Sequence, residues 1–327
     1  MKGRDENDSK RNAAVLRIVE SAPYYMRDYI NGFTNKTTAT KRTYVTNIMM
    51  FLEYVRNDGR YNINDIESVA KIRTSFINGY MGSIENLTPS TRANRLAAIK
   101  DFFDFLYADN YIDRNPCDRV SPPRLDENIN VISMTPEEIN HMKDRVAHGF
   151  DEETSREKAR RENWRTRDYA IVTLGCATGL RVASITEINL EDIDFENKKI
   201  LVVTKGDKKR ECCIGESTIS AIKSWMSDRS ELLGNAKCSA LFISDRKTRI
   251  STDTVRRIVK RGTADLDKHI TPHKMRSSCA TNLYNATGDI YLVQTVLGHA
   301  NIRNTRRYTK VDDSNMRNAA SILDNMY

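Results

Sequence analysis

Two adjacent prolines, Pro122 and Pro123, constrain the fold of this 327-residue chain more than any other feature of its sequence. Consecutive prolines cannot continue a helix, and they favour an extended backbone. The patterns on both sides are helical, and Asn115-Pro116 closes the first helical region shortly before them. The sequence therefore predicts two domains joined by a linker over residues 117–133, which suits a chain too long for one ordinary core.

The region before the prolines has the apolar periodicity of a small helical domain. Within Thr40–Val55, apolar side chains recur at helical spacing on one face. Residues 64–83 indicate a second helical stretch. Thr88-Pro89 begins a third, with Thr at the cap and Pro at the first helical position. We expect residues 1–12 to be disordered and residues 13–116 to form a helical domain.

The region after the prolines adds one short sheet to a helical pattern. Thr135-Pro136-Glu137-Glu138 is a capping box that starts a helix. The runs KILVVT at 199–204 and ECCI at 211–214 are the clearest strands, and Lys205-Gly206-Asp207-Lys208 joins them as a hairpin. We therefore expect residues 134–327 to form a mainly α domain that contains a small antiparallel β-sheet.

The composition excludes several classes of protein. No run approaches the roughly 18 apolar residues that cross a bilayer, and the N-terminus has no apolar segment typical of a secretory signal. We therefore expect a cytoplasmic protein without membrane contact. The six cysteines form no CxxC pair and no cluster with zinc-site spacing, which predicts reduced structural thiols.

Positive charge is concentrated in the C-terminal part of the chain. The whole chain has a net charge of +8, whereas residues 246–310 alone hold 14 Lys or Arg and four Asp, a local net charge of +10. Such a zone fits binding to the phosphate backbone of a nucleic acid. Charge alone leaves open a second interpretation, a solvated basic face that has no partner.

Four short segments carry side chains suited to phosphoryl transfer. Two arginines can hold a phosphodiester through paired N–H donors, and histidines can exchange protons with it. A lysine can protonate a leaving alkoxide, and a tyrosine oxygen can attack a phosphate reversibly. No carboxylate cluster for a two-metal site is evident, so this set needs no metal. In chain order the residues are Arg181, Lys205, His273, Arg276, His299 and Tyr308.

These segments resemble the motifs of the tyrosine recombinases, the phage integrase family. The resemblance rests on ATGLRVASITEINLEDID (177–194), VVTKGDKKR (202–210), TPHKMRSSCATNLY (271–284) and LGHANIRNTRRYTKV (297–311). The helical N-terminal region is similar to the family's core-binding domain, so the resemblance covers about residues 24–311. It implies a two-domain, C-shaped DNA clamp, formed by a core-binding domain and a catalytic domain.

The resemblance implies one role for each reactive residue. Tyr308 attacks the scissile phosphate and forms a 3′-phosphotyrosyl link, which the 5′-hydroxyl of a partner strand then reverses. Because the link conserves the phosphodiester energy, the resemblance implies no cofactor, neither ATP nor a metal. Arg181 and Arg276 grip the non-bridging oxygens, Lys205 is the general acid for the 5′-oxygen, His273 helps manage the tyrosine proton, and His299 hydrogen-bonds the phosphate.

One position departs from the family pattern. Many members carry an acidic residue three positions after the first arginine, where this chain has Ser184. We expect the hydroxyl of Ser184, or else Glu187, to replace part of the support that the acidic residue gives.

The resemblance implies double-stranded DNA at a recombination site as the partner, in the bacterial cytoplasm or nucleoid. Residues 314–327 carry an apolar stripe at helical spacing, which predicts a C-terminal helix exchanged between the protomers of a homotetramer on DNA. Docking of this helix on its own domain is the alternative. We expect contacts with DNA from Lys41, Arg42, Arg92 and Arg95 in the N-terminal domain, and from Arg249, Arg256, Arg257, Arg306 and Arg307 in the C-terminal domain.

The expected function is site-specific DNA recombination, such as that of the integrase of a compact mobile element without an arm-binding domain ahead of residue 13. A Xer-type resolver of chromosome or plasmid dimers and a type IB topoisomerase are alternatives with the same chemistry. A non-catalytic DNA-binding protein is the third, and the presence of all six reactive residues argues against it.

Overall fold

The computed structural model describes residues 12–13, 15–20, 22–33, 36–124, 131–150, 154–203, 209–299, 301–306 and 308. Its contacts divide the chain into two compact units, Met1–Glu127 and Asn128–Tyr327. Lys205, Arg307 and the predicted helix over 314–327 lie outside the described residues. The predicted fold class, mainly α with a small antiparallel sheet in the C-terminal unit, is confirmed.

The described part of the N-terminal unit is helical. The predicted stretch over 64–83 is two helices, because Ile72 leaves the helix to fill the core and Arg73 takes an extended backbone. Thr88 caps the last helix by accepting a hydrogen bond from the Thr91 N–H, as its position predicts. After helical residues at 12–13 and 15–20, the elements are α1 (Tyr24–Asn31), α2 (Thr38–Asp58), α3 (Ile66–Ala70), α4 (Thr74–Ser83) and α5 (Pro89–Ala108).

The core of the N-terminal unit is aromatic. Neighbouring rings meet edge to face, as in the Phe102–Phe103 pair with centroids 5.4 Å apart, a geometry that adds about 0.5–1.5 kcal/mol to the burial of the rings. Cys117 and Val120, at the start of the predicted linker, are also buried in this core. The largest fully buried side chains here include Tyr25, Tyr29, Phe51, Phe102 and Phe103.

The C-terminal unit is built around one long helix. This helix begins at Ser155, where Thr154 and Glu157 form a capping box. The capping box predicted at Thr135 is confirmed. The helices are α6 (Pro136–His148), α7 (Ser155–Thr178), α8 (Val182–Glu187), α9 (Glu216–Leu233), α10 (Thr252–Gly262), α11 (Pro272–Thr287), α12 (Ile290–Leu297) and α13 (Arg303–Arg306), with a 3₁₀ turn at Leu190–Asp192.

The sheet has three antiparallel strands, β1 (Ile193–Asp194), β2 (Lys199–Val203) and β3 (Lys209–Cys213), in the order β1-β2-β3. Arg210 of β3 pairs with Val202 of β2. Because side chains alternate along a strand, Arg210 shares the core face of β3 with the buried Cys212, while Cys213 is exposed.

The helix α7 packs against α6, α9 and α11. A Cβ added at Gly175 of α7 would lie 2.2 Å from Cε of Met275 on α11, so these two helices approach closely. The approach brings the end of α7, where Arg181 follows, next to the first turns of α11, which carry Arg276.

Candidate active site

Arg276 is buried at the centre of the candidate site, with 3% of its surface exposed. Its Nη1 donates to the carbonyl oxygen of Gly179 at 2.6 Å, and its Nη2 donates to that of Leu297 at 2.9 Å. Both acceptors lie at helix ends, where carbonyl groups have no partner within their own helix. Arg276 therefore joins α11 to the ends of α7 and α12.

The electrostatic neighbours of Arg276 include two further arginines. Burial, followed by the charges of Arg181 and Arg210, lowers the pKa of Arg276 to about 10, whereas Tyr308 acts in the opposite direction. The guanidinium remains charged at neutral pH. A cluster of like charges held together in this way favours an anion such as a phosphodiester. The structure thus brings Arg181, Arg276 and Tyr308 into one electrostatic site.

The position of Arg181 depends on a glycine. Gly179 ends α7 with φ of 58°, a backbone conformation that other residues rarely adopt. A Cβ at Gly179 would also lie 2.7 Å from Cδ2 of Leu297 and 3.2 Å from Sγ of Cys279. The chain then turns so that Arg181, which is exposed, precedes α8 at its N-cap. The sequence TGLR therefore places an exposed guanidinium two residues after the carbonyl that holds Arg276.

His299 and Tyr308 lie side by side. Their rings are nearly parallel, at 14°, with centroids 6.2 Å apart. The fully buried Thr305 positions both residues: its Oγ1 lies 2.9 Å from Nδ1 of His299, and its carbonyl accepts the Tyr308 N–H at 2.9 Å. Tyr308 is 4% exposed and packs against Ala280, Val293 and Leu297. Nothing in the sequence analysis identified Thr305.

The other two predicted catalytic residues, His273 and Lys205, are not among these contacts. His273 is exposed in the first turn of α11, one turn before Arg276. Lys205 lies outside the described residues, between the ends of β2 and β3. The described site therefore contains Arg181, Arg276, His299 and Tyr308 together, with His273 one helical turn away.

Ser184 makes a contact that a carboxylate could not make. Its buried hydroxyl donates to the carbonyl oxygen of Val203 at 2.9 Å, and an ionised carboxylate has no proton to donate. Val203 ends β2, two residues before Lys205. Ser184 therefore ties α8, which follows Arg181, to the strand that leads to the lysine.

Arg210 is a residue near the site that the sequence analysis did not single out. Its Nη1 donates to the carbonyl oxygens of Thr295 at 2.7 Å and Val296 at 3.0 Å, at the end of α12. The available signal was strand alternation, which places this arginine on the core face together with Cys212.

The residues predicted to contact DNA differ in their surroundings. Arg249 donates to the carbonyl oxygens of Thr186 at 2.8 Å and Ile188 at 3.2 Å, and also to Asn189, so its guanidinium caps the end of α8. Arg249 therefore has a structural role, and its contact with DNA stays a prediction. Arg42, Arg256, Arg257 and Arg306 are exposed, and Lys41, Arg92 and Arg95 are partly exposed.

Other sites in the described residues are inconspicuous. No three His, Cys, Asp or Glu side chains within them cluster as a metal ion would require. None of the described helices combines the length and apolar character needed to cross a membrane. Burial raises the pKa of the Cys279 thiol to about 11, which makes it a poor nucleophile at neutral pH.

Comparison with known proteins gives matches over both units. The model of the phage integrase family matches residues 151–315, and that of the phage integrase N-terminal SAM-like domain matches residues 28–110. The tyrosine recombinase XerC of Caldanaerobacter subterraneus subsp. tengcongensis is 30% identical over 331 residues, covering 94% of this chain and 89% of the relative.

Two solved structures share the fold. One is the XerH site-specific recombinase bound to palindromic difH substrate in a post-cleavage complex, with a TM-score of 0.68, 24% identity, and coverage of 89% of this chain and 81% of that one. The other is a lambda integrase tetramer bound to a Holliday junction, with a TM-score of 0.64, 19% identity, and coverage of 88% and 78%.

Proposed function

Because the chain belongs to the phage integrase family, the tyrosine recombinases, we propose that it recombines DNA at specific sites with Tyr308 as its nucleophile. The enzyme cleaves and rejoins DNA. In the proposed reaction, the phenolic oxygen of Tyr308 attacks phosphorus, the bond from phosphorus to the 5′-oxygen breaks, and the 3′-end stays esterified to the protein. A 5′-hydroxyl from the partner strand then attacks the phosphotyrosine and releases Tyr308.

The observation that carries this proposal is the pair of hydrogen bonds that hold the guanidinium of Arg276. Two helix-end carbonyls fix its guanidinium in a buried position, with Arg181 and Tyr308 among its electrostatic neighbours. A phosphate placed between the two arginines would accept hydrogen bonds from both, and these bonds strengthen as charge develops on its non-bridging oxygens. Removal of one such donor typically slows a reaction by about 10²–10³-fold.

We assign the proton transfers and the remaining hydrogen bond to His299, His273 and Lys205. His299 stacks on Tyr308, so we assign it a hydrogen bond to the phosphate that Tyr308 attacks. His273, at the start of α11, takes the tyrosine proton. Lys205 gives a proton to the 5′-oxygen as it leaves, an assignment that rests on its place in the VVTKGDKKR motif.

The proposed partner is double-stranded DNA, bound by a homotetramer in the bacterial cytoplasm. The lambda integrase neighbour was solved as a tetramer on a Holliday junction, which supports a four-protomer synapse for this chain as well. Exchange of the helix over 314–327 between protomers, and closure of the two units around the duplex, remain predictions from the sequence. Exposed Arg42, Arg256, Arg257 and Arg306 are the best-placed backbone contacts.

The XerC relative supports one particular outcome of recombination. The similarity extends over 94% of this chain. It supports a Xer-type dimer resolver as a second candidate function, in addition to the mobile-element integrase. Plasmids that carry directly repeated sites, in cells with and without the gene, would distinguish the two: a resolver converts dimers to monomers, whereas an integrase joins two unlike sites.

The proposed nucleophile can be tested with a suicide substrate nicked beside the cleavage position, which traps the covalent intermediate. Wild-type protein should form a protein–DNA adduct, and Tyr308→Phe should form none, because the phenolic oxygen is the atom that bonds to phosphorus. Tyr284→Phe is the matched control, since Tyr284 packs in the same apolar cluster as Tyr308. An adduct with Tyr308→Phe at the wild-type rate would refute the assignment.

A further inference from the structure

Thr305 places all three of its polar groups in hydrogen bonds within the candidate site. It is fully buried in the short helix α13, between His299 and Tyr308 in the sequence. Its N–H donates to the carbonyl oxygen of Ile302 at 2.8 Å, and its carbonyl accepts the N–H of Tyr308 at 2.9 Å. Its Oγ1 lies 2.9 Å from Nδ1 of His299. One residue therefore holds the main chain at the proposed nucleophile and one ring nitrogen of the histidine.

The hydroxyl of Thr305 bonds a side chain of the site. Other threonines of this unit use their hydroxyls on their own helix: Thr178 donates to the carbonyl oxygen of Leu174, and Thr287 to that of Leu283, each four residues earlier. Such a bond serves only the local backbone. The hydroxyl of Thr305 instead meets a group that the proposed reaction uses.

The main chain of His299 is held by a different residue. Its N–H donates to the carbonyl oxygen of Gln294 at 3.1 Å, and its carbonyl accepts a hydrogen bond from Nε2 of Gln294 at 2.9 Å. The ring also lies nearly parallel to that of Tyr308. Removal of the Thr305 hydroxyl should therefore leave the backbone of His299 in place and change chiefly what Nδ1 bonds.

The two ring nitrogens of a neutral histidine depend on each other. One carries the proton and donates a hydrogen bond, and the other accepts. A hydroxyl can take either role, whereas the oxygens of a phosphodiester only accept. Because Nδ1 of His299 meets Thr305, a bond from the neutral ring to the phosphate comes from a protonated Nε2. Nδ1 is then the acceptor, and the hydroxyl of Thr305 is the donor.

We propose that Thr305 is a positioning residue that acts through His299: its hydroxyl donates to Nδ1 and so keeps the proton on Nε2, where it serves the scissile phosphate. The inference rests on the proposed function, in which His299 bonds the phosphate that Tyr308 attacks. Without the hydroxyl, both tautomers are populated, and the one protonated at Nδ1 turns a lone pair toward the anion. The fraction of enzyme that is ready to react falls accordingly.

Nitrogen NMR of the full chain, labelled at histidine, tests the tautomer directly. The chain has five histidines, and the signals lost in His299→Leu identify those of His299. At about pH 8.5, well above the ordinary histidine pKa of about 6.5, wild type and Thr305→Ser should show a protonated Nε2 and an Nδ1 that accepts a hydrogen bond. In Thr305→Val, the Nδ1 signal should move toward that of a nitrogen without a hydrogen bond. A wild-type proton on Nδ1, or an unchanged signal in Thr305→Val, overturns the inference.

The rate of adduct formation at saturating DNA tests whether this hydrogen bond matters to the reaction. Thr305→Val keeps the shape of the side chain without its hydroxyl and should react about tenfold more slowly. Thr305→Ser keeps the hydroxyl and should stay within about threefold of wild type. Thr173→Val is the matched control, because Thr173 is buried in α7 and its hydroxyl has no hydrogen-bond partner among the described residues. It should react as wild type. Thermal melting and DNA binding of each variant reveal any folding defect.

A double variant distinguishes an effect through His299 from an effect on Tyr308. Alone, His299→Leu should slow adduct formation by about a hundredfold, as loss of one donor to the phosphate does. Thr305→Val added to His299→Leu should slow it by less than about twofold more, because no ring nitrogen remains for the hydroxyl to bond. A further tenfold decrease would overturn the role through His299.

The outcomes separate the inference from its premise. A slow His299→Leu beside a wild-type rate in Thr305→Val overturns the positioning role and leaves the proposed function in place. If His299→Leu itself reacts at the wild-type rate, the assignment of His299 is wrong, and the inference falls with it.

Discussion

The two units of this enzyme bury different kinds of side chain. The N-terminal unit fills its core with aromatic rings, such as Phe51, Phe102 and Phe103. Among the described residues, every buried Arg, Ser and Thr side chain lies in the C-terminal unit. Four of these are arginines, at positions 161, 167, 229 and 276. The contrast separates a unit that is held by packing from a unit whose interior also holds charges.

Burial of an arginine is not in itself the mark of the active site. Arg167, Arg229 and Arg276 all donate to backbone carbonyls. Burial lowers the pKa of Arg229 as it does that of Arg276, yet only Arg276 has other arginines among the causes of its shift. What distinguishes Arg276, the arginine that we propose to be catalytic, is therefore its cationic neighbours. A comparison of Arg229 with Arg276 tests that view.

The largest effect is expected from Arg276→Lys set beside Arg229→Lys. Both changes disturb a buried guanidinium that donates to two carbonyls, and each should lower the free energy of unfolding by about 1–3 kcal/mol. Only Arg276→Lys should also slow adduct formation, by about a thousandfold, because it loses a contact with the phosphate. The measurement is the rate of adduct formation by folded protein at saturating DNA. An equal decrease of this rate in both variants would contradict the distinction.

An intermediate effect is expected from the aromatic core. Phe102→Leu removes ring contacts at a fully buried position of the N-terminal unit, which should lower the free energy of unfolding by about 1–2 kcal/mol. The rate of adduct formation at saturating DNA should not change, since the ring lies in the unit without reactive residues. Urea unfolding and single-turnover cleavage measure the two quantities, and a slower cleavage step would show that the N-terminal core also shapes the site.

The smallest effect is a pH dependence in the C-terminal unit. A hydrogen bond from Lys268 and one from the Thr135 N–H lower the pKa of Glu138 below its ordinary 4.5. Its contribution, about 1 kcal/mol or less, is therefore present above pH 4.5 and is lost as the pH falls further and the carboxylate is protonated. Glu138→Gln should lower the free energy of unfolding at pH 7, and the difference from wild type should be smaller at pH 3.5. Urea unfolding measures this difference, and an equal difference at both pH values would contradict the prediction.

The sequence predicted the features that depend on neighbours along the chain. The cap at Thr88 and the capping box at Thr135 follow local chemistry, and the structure confirms them. The strands predicted at 199–204 and 211–214 are present at 199–203 and 209–213. The helical stretch predicted over 64–83 is divided into two helices, because a tertiary demand, burial of Ile72, overrides local helical preference between them.

The sequence could name the reactive residues but not what holds them. Arg276, Arg210 and Ser184 all bond backbone carbonyls of residues distant along the chain. Every residue has a carbonyl, so no residue type marks the acceptor, and only the fold selects it. For the same reason Arg249 resembled its neighbours in the basic zone, although its guanidinium holds the end of α8.

The two hydrogen bonds that hold Arg276 leave its positive charge without a counter-ion among the described residues. Gly179 and Leu297 offer it carbonyl dipoles rather than a full negative charge, and no carboxylate of the described residues is among the charges that shift its pKa. Arg161 and Arg167, which are also buried, each lie beside a carboxylate, that of Glu162 at 3.0 Å and that of Asp168 at 2.7 Å. In the proposed reaction the scissile phosphate takes the place of such a carboxylate. DNA would then complete the ion pair that folding leaves open at Arg276, and the phosphotyrosine would keep that pair in place until the strands are rejoined.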